Sequence, residues 1–379
     1  MAGAGFPPVR SSCFYPSPTS FIVTPVNSLH SCLRTALCVL LPVVSPLEAA
    51  VQIEKVFGPE TDTGQYKHPT TITELDNGEL LLAYYGGGGE YETATAVYGS
   101  RRSPGQSRWS PPVVLARNPM YSMGNPVLWQ APDQRVWLFF VVRPGATWST
   151  SRIGAKISDD RGATWSDAFM VTFEEGTMVR SRPIVLSDGH YLLPIYHETG
   201  ADTEKTGADT SSIFLRYDPA TREWTPSNKV FSRMGNLQAA AVELAPGHLL
   251  ALCRRGGDYE PGDDGFVVKT ESRDGGRTWS PGVETGFPNP NASVELIKLR
   301  SGNLLFVYNH SMNERSPLRV VLSEDGGKSW PRRLDLATGE GSFSYPTAIQ
   351  TRDGLIHVTF TSDERTTIRH ATFAEKDVR

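Results

Sequence analysis

The chain has 379 residues and a formal net charge of −4 at pH 7, so it has no excess of Lys and Arg for binding a phosphate backbone, and we do not expect a nucleic-acid-binding protein. Hydrophobic residues make up 39% of the sequence, which allows a large core, but no apolar run reaches the roughly 18 residues that a transmembrane helix needs. The 35 glycines and 28 prolines indicate many turns.

The first fifty residues differ from the rest. Three of the four cysteines lie there, so the remainder retains only Cys253 and cannot form an internal disulfide. From Arg34 the sequence reads RTALCVLLPVVSPLEAA, a charged flank, a short apolar core and small residues, which is typical of a secretory signal. We therefore treat 1–50 as a leader outside the fold and expect a secreted or periplasmic protein. Organelle targeting and an upstream extension from a misplaced start are the alternatives.

From residue 51 onward the sequence repeats a unit of two apolar strands joined by a tight turn. The six turns are centred on Gly78, Asp133, Gly189, Gly247, Gly302 and Gly354. Short apolar runs on either side of such residues are typical of β-hairpins. The segments between them show no sustained helical period, so the pattern predicts an all-β protein.

A second motif, S-x-D-x-G-x-[ST]-W, alternates with the hairpins. It occupies 158–165, 272–279 and 323–330, and weaker copies end at Trp109 and Trp224. Its Ser and Asp can bond backbone amides in a turn, its Gly permits positive φ, and its Trp can pack between sheets. The motif thus predicts a folding role for its Asp residues, and we expect neither a metal site nor a cofactor.

Six repeats of about 55 residues, each long enough for four strands, favour a radial array, the β-propeller. The last repeat lacks the Trp motif. We expect Val51–Phe57 to supply its outer strand and close the ring.

Five segments in order carry a resemblance to a known family: HPTTITELDNGELLLAYYGGGGE, GNPVLW, RSRPIVLSDGHYLLP, NPNASVELIKL and GSFSYPTAIQTRDGLIHVTFT. Together with the Trp motif, which matches the Asp box, they resemble the sialidase (neuraminidase) superfamily, in its BNR-repeat, sialidase-like branch. The resemblance implies one six-bladed β-propeller domain over 51–379 that acts on glycans.

The ends of the hairpin strands carry polar residues that we expect at one mouth of the propeller. These candidates are Lys67, His68, Asn125, Arg182, Gln238 and Tyr345 at the start of inner strands, and Glu90, His197, Arg254 and Asn309 where second strands end. A scaffold does not need such a ring, whereas polar, often anionic, small ligands or sugars do.

The resemblance implies roles for several of these residues. Tyr345 matches the nucleophile, and Arg254 (or its neighbour Arg255) and Arg315 resemble two of three arginines that bind the substrate carboxylate. Together with Arg182 they are expected to converge. The match departs from the family where Lys67 replaces the first arginine and where Leu237 and Gln238 replace a Glu. Glu90 lies in the loop that carries the family's acid/base.

We therefore predict an exo-acting glycosidase for a terminal acidic sugar. Two alternatives stay open: a lyase that cleaves uronate-containing glycans by β-elimination, with His68, His197 and Tyr345 handling protons, and a non-catalytic propeller that binds glycan or protein. The expected partner is a carbohydrate, with no nucleic acid and no transmembrane segment.

Overall fold

The structure is a computed structural model, and it describes residues 51–200, 205–260 and 262–379. The predicted leader lies outside the described residues. Six antiparallel sheets surround one axis, so the predicted six-bladed β-propeller is confirmed. The helices of the described ranges are two three-residue 3-10 turns, Trp148–Thr150 and Glu375–Asp377, so no helix there has the length and apolarity to cross a bilayer.

In blades one to five the strands follow the order of the chain from the inner to the outer strand, and in blade six the outer strand is β1 (Gln52–Phe57). Blade one contains β2 (Tyr66–Glu74), β3 (Leu80–Gly87), β4 (Ala96–Arg102) and β5 (Val113–Ala116). Blade two contains β6 (Ser122–Gln130), β7 (Val136–Arg143), β8 (Arg152–Ser158) and β9 (Phe169–Met170). Blade three contains β10 (Thr177–Val179), β11 (Ile184–Val185), β12 (Tyr191–His197), β13 (Ser211–Asp218) and β14 (Glu223–Pro226). Blade four contains β15 (Asn236–Ala245), β16 (His248–Arg255), β17 (Phe266–Ser272) and β18 (Val283–Pro288). Blade five contains β19 (Glu295–Lys298), β20 (Leu304–Asn309), β21 (Leu318–Ser323) and β22 (Arg332–Ala337). Blade six contains β23 (Ser344–Gln350), β24 (Leu355–Ser362), β25 (Thr367–Ala374) and β1.

The ring closes as the sequence predicts. Strand β1 pairs antiparallel with β25 as the outer strand of the sixth blade, with Gln52 opposite Thr372. Inner strand β23 of that blade packs against β2 of the first. Both ends of the ring are therefore joined by main-chain pairing and by side-chain packing.

The Asp-box turns have the predicted bonding. The Ser158 hydroxyl donates to Asp160 at 2.7 Å and accepts from the Gly162 amide at 2.6 Å, and the Thr164 hydroxyl donates to Asp160 at 2.6 Å. The copies at 272–278 and 323–329 repeat these bonds. Their tryptophans differ, because Trp279 is buried and stacks on Phe214 whereas those at 165 and 330 are half-buried.

β-Bulges interrupt four inner strands near their first residues. The register shifts lie between residues 67 and 70, 124 and 127, 237 and 240, and 344 and 347. Three of them hold a non-glycine residue with positive φ: Asn125 (42°), Gln238 (51°) and Tyr345 (55°). Because a bulge turns its side chain out of the normal alternation, these residues can be directed at the axis.

A buried histidine pair lies on the closing blade. The Nδ1 atom of His357 is 2.9 Å from Nε2 of His370, whose Nδ1 is 2.8 Å from the Glu54 carboxylate on β1. Burial, reinforced by the neighbouring His370, lowers the pKa of His357 to about 3. The folded protein thus holds a neutral imidazole at pH values where an unfolded chain would be protonated.

His357→Gln is expected to reduce the loss of stability in acid. Above pH 6.5 His357 is neutral in both states, but as the pH falls below this value the unfolded state gains a proton that the folded state does not bind. At pH 4.5 this destabilises the wild type by roughly 2–3 kcal/mol. Urea unfolding of both proteins at pH 7.5 and pH 4.5 measures the effect, and an equal pH dependence in the two would contradict it.

Candidate functional site

A polar cavity lies at the axis mouth and receives side chains from five blades. Its lining consists of His68, Tyr85, Glu90, Tyr91, Asn125, Trp148, Tyr196, Glu198, Lys205, Thr206, Gln238, Arg254, Tyr259, Tyr345 and Arg365. Seven of these are tyrosines, histidine or tryptophan, and five are Glu, Lys or Arg. Such a lining suits a polar, charged small ligand.

Tyr345 is surrounded by guanidinium groups. Its hydroxyl accepts a hydrogen bond from Nη1 of Arg254 at 2.8 Å, and the Arg315 guanidinium carbon lies 5.5 Å from its ring centroid. Burial alone would raise the pKa of the phenol, but the charges of Arg254, Arg315 and Arg365 outweigh burial and lower this pKa below its ordinary value. The neighbouring arginines therefore stabilise the phenolate, the nucleophilic form, relative to that of a free tyrosine.

Arg180 fixes the backbone below this phenol. It reaches from blade three to blade six and donates to the carbonyl oxygens of Tyr345 and Pro346 at 2.8 and 2.9 Å and to the Thr347 hydroxyl at 3.0 Å. An aromatic residue rarely adopts positive φ, so these bonds offset the unfavourable conformation of Tyr345.

Arg254 donates hydrogen bonds to four side chains around the cavity. It donates to Asn291 at 2.6 Å, to Gln238 at 3.2 Å and to the Tyr259 hydroxyl at 2.7 Å, besides its bond to Tyr345. Burial opposes its charge, but the neighbouring tyrosines and Glu198 raise the pKa of Arg254 above its ordinary value. It is a fixed cation.

Two further arginines complete the positive cluster. Arg315 lies over the rings of Tyr345 and Tyr259, at 5.5 and 5.6 Å from their centroids. Arg365, in the loop after β24, donates to Glu90 at 2.6 Å. Arg365 also lies where a second strand ends, but it was not among the residues selected from the sequence.

Arg182 interacts with a buried carboxyl. It is not among the residues that line the cavity, and its charge acts on the buried Glu295 of β19, where burial raises the pKa of the carboxyl to about 7 against the opposing effect of Arg182. Arg365 rather than Arg182 lines the cavity beside Arg254, and the convergence of Arg182 with Arg254 and Arg315 stays a prediction.

His68 lies edge-on to Tyr345, with 4.2 Å between ring centroids, and its Nδ1 is 2.8 Å from the Thr361 hydroxyl oxygen. Burial and the surrounding arginines hold the pKa of His68 well below its usual range. The imidazole is therefore neutral, and it is available as a hydrogen-bonding group rather than as a cation.

Lys67 and His197 do not line the described cavity, contrary to expectation. The Lys67 ammonium donates to the Gly64 carbonyl, and His197 lies 3.4 Å from Glu174. The physical reason is strand alternation, because each sits next to a residue that does face the cavity, His68 in one case and Tyr196 in the other.

The predicted amides support their neighbours. Asn125 and Gln238 both donate to the Tyr196 hydroxyl, at 3.1 and 3.3 Å. Asn309 is buried outside the lining and donates to the Phe343 carbonyl at 2.8 Å, which holds the chain before Tyr345.

Two carboxylates reach the cavity, the predicted Glu90 and Glu198, which sequence reasoning missed. Glu198 directly follows the residue that was selected, His197. Burial raises the pKa of Glu198 to about 7, opposed by the charge of Arg254. The alternation of side chains beyond Tyr196 was the signal that could have located it.

Comparison with known proteins identifies the family of this chain. Residues 78–358 match the family described as BNR repeat-like domain. The chain belongs to this family. A curated relative of the BNR repeat-like chain is a sialidase from Micromonospora viridifaciens, 27% identical over 239 residues that cover 60% of the present chain and 33% of that protein. The chain thus spans about a third of that relative.

Solved structures share the propeller of this BNR repeat-like protein. The Hadza microbial sialidase Hz136 superimposes with a TM-score of 0.72 and 18% identity, covering 86% of this chain and 69% of that one. The intramolecular trans-sialidase from Ruminococcus gnavus gives a TM-score of 0.70 and 15% identity, covering 85% and 97%. At these identities the likeness concerns the fold alone.

Proposed function

We propose that this protein is an exo-acting glycosidase that removes a terminal acidic sugar from a glycan. One observation carries the proposal: the Tyr345 hydroxyl accepts a 2.8 Å hydrogen bond from Arg254 in a cavity that Arg365 also lines, and the Arg315 guanidinium lies 5.5 Å from the Tyr345 ring centroid. A phenolate there can attack an anomeric carbon, while nearby cations bind the carboxylate of the sugar.

The means of activating Tyr345 differs from the pattern that the sialidase resemblance implies. Leu237 stands where a Glu was expected, and the amide of the next residue, Gln238, accepts a hydrogen bond from Arg254 at 3.2 Å. Arg254 and its neighbours therefore take over the task of stabilising phenolate, by charge instead of by proton transfer. The names of the relatives, which are sialidases, support an acidic sugar as the substrate.

A panel of sialyl, uronyl and rhamnosyl glycosides tests the proposal. We expect hydrolysis of an acidic member with release of the free sugar, and the covalent sugar–Tyr345 adduct should accumulate with a fluorinated analogue. If the protein binds members of the panel but cleaves none of them, the glycosidase proposal is contradicted and a glycan-binding propeller is favoured.

A uronate lyase is the second candidate, and the edge-on contact between His68 and Tyr345 favours it. A neutral imidazole can accept the proton next to a uronate carboxylate, and the phenol can deliver one to the leaving oxygen. If the product shows the ultraviolet absorbance of an unsaturated uronate and no covalent adduct forms, the lyase is supported and the hydrolase is contradicted.

Arg315→Gln is expected to weaken binding of a free acidic sugar by about 1.5–3 kcal/mol, because a neutral amide replaces a desolvated cation beside Tyr345. Calorimetric titration with N-acetylneuraminic acid measures the change. The matched control is Arg161→Gln, since this exposed arginine pairs with Asp76 at the surface. Equal affinities in the two variants would remove Arg315 from the binding site.

A further inference from the structure

The two carboxylates of the cavity have different surroundings. Oε2 of Glu90 accepts hydrogen bonds from the Tyr66 hydroxyl at 2.8 Å and from Arg365 at 2.6 Å. These two bonds engage the Oε2 atom of Glu90, so this carboxylate is already paired with groups of the protein. Its contacts fix the position of Arg365.

Glu198 has no such partner. Its side chain lines the cavity but forms no hydrogen bond or ion pair with a residue of the three described ranges. Its backbone is held, because the Glu198 amide donates to the Gly176 carbonyl at 2.9 Å. Gly176 has a φ of 84°, and a Cβ on it would lie 2.2 Å from the Glu198 carbonyl oxygen, so the approach requires glycine.

We propose that Glu198, in the loop after β12, is the general acid and base of the glycosidase, and that Glu90 is a positioning residue for Arg365. The inference rests on the proposed function. It differs from the sequence expectation, which took this carboxylate from the blade-one loop that contains Glu90.

The electrostatic setting agrees with the geometry. Burial raises the pKa of Glu198 to about 7, so a large share of the carboxyl is protonated at neutral pH. A group that titrates near the working pH can donate a proton in one step and accept one in the next.

The chemistry balances with these two residues. As the Tyr345 phenolate bonds to the anomeric carbon, the bond from that carbon to the leaving oxygen breaks and this oxygen takes the Glu198 proton, so the alcohol departs neutral. The Glu198 carboxylate then takes a proton from water, whose oxygen attacks the anomeric carbon. The bond to Tyr345 breaks, and phenolate and the protonated carboxyl are restored.

Two substrates with different leaving groups test this assignment. With 3′-sialyllactose, whose leaving alcohol needs a proton, Glu198→Gln should lower kcat/KM by about 10²–10⁴-fold. With 4-nitrophenyl N-acetylneuraminide, whose leaving group departs unprotonated, the loss should stay below about tenfold. We expect kcat/KM of the wild type to decline as the pH rises through neutrality, because Glu198 then loses its proton, and this decline should disappear in the variant.

Glu90→Gln is the matched variant. It should lower kcat/KM for both substrates to the same extent and keep the alkaline decline, because it disturbs Arg365 and not the proton donor. If Glu198→Gln does not fold, Glu198→Asp should show the same selective loss, because the Asp side chain is one methylene shorter and its carboxyl does not reach as far into the cavity.

Equal losses on both substrates in Glu198→Gln, or an unchanged alkaline decline, would overturn the assignment while leaving the proposed glycosidase intact. A wild-type protein that cleaves neither substrate nor any other acidic glycoside would overturn both. The two failures are thereby distinguishable.

Discussion

Tyr345→Phe is expected to lower turnover of a cleaved glycoside by at least about a hundredfold, whether the reaction is hydrolysis or elimination. The substitution keeps the ring, and so keeps the packing against His68 and the contacts with Arg180 and Arg315. It removes the oxygen that Arg254 contacts at 2.8 Å. Steady-state kinetics on the substrate identified in the panel measures the loss.

Tyr98→Phe is a suitable control for this experiment, because Tyr98 lies on β4 outside the cavity and its hydroxyl has one long contact, 3.5 Å from Arg117. It should turn over substrate like the wild type. Unchanged turnover in Tyr345→Phe as well would exclude Tyr345 from the mechanism.

Trp279→Ala is expected to lower the free energy of unfolding by about 3–5 kcal/mol, the range for a large buried aromatic residue. Trp279 is 5% exposed, and its ring stacks on Phe214 with 3.7 Å between centroids. Its Nε1 also donates to the Gly276 carbonyl at 3.1 Å. The alanine variant would lose this stacking between blades three and four and leave a cavity there.

Trp330→Ala is the matched comparison, since it truncates the same motif position where the ring is half-buried. We expect a smaller loss, about 1–3 kcal/mol. Denaturant unfolding of both variants measures the difference. A loss below about 1 kcal/mol in Trp279→Ala would show that its ring does not support the blade contact.

The fold could be predicted because its signals are local. Each hairpin has its own turn residue, and each Asp box bonds within a few residues of itself, as at Ser158 and Asp160. Counting these units gives the number of blades. Even the closing strand could be predicted, because the last repeat lacked an outer strand and 51–57 had no other partner.

The site could be predicted by region but not residue by residue. The segments that meet at the axis were identified, yet which of two adjacent side chains faces inward depends on bulges and on where each strand ends. His68 faces the cavity and Lys67 does not; Glu198 faces it and His197 does not. The Arg365–Glu90 pair joins blades six and one, a contact that exists only after ring closure.

The left-handed backbone at the centre restricts how such a propeller can evolve. Positive φ at Asn125, Gln238, Asn291 and Tyr345 strongly disfavours Val, Ile and Thr, because their branched Cβ clashes with the backbone in that conformation. The substitutions tolerated at these positions are therefore mostly residues without a branched Cβ, and many of these have long, polar side chains. The ring can therefore exchange one hydrogen-bonding or reactive group for another while the blades stay unchanged, and the backbone itself keeps branched aliphatic residues away from the axis.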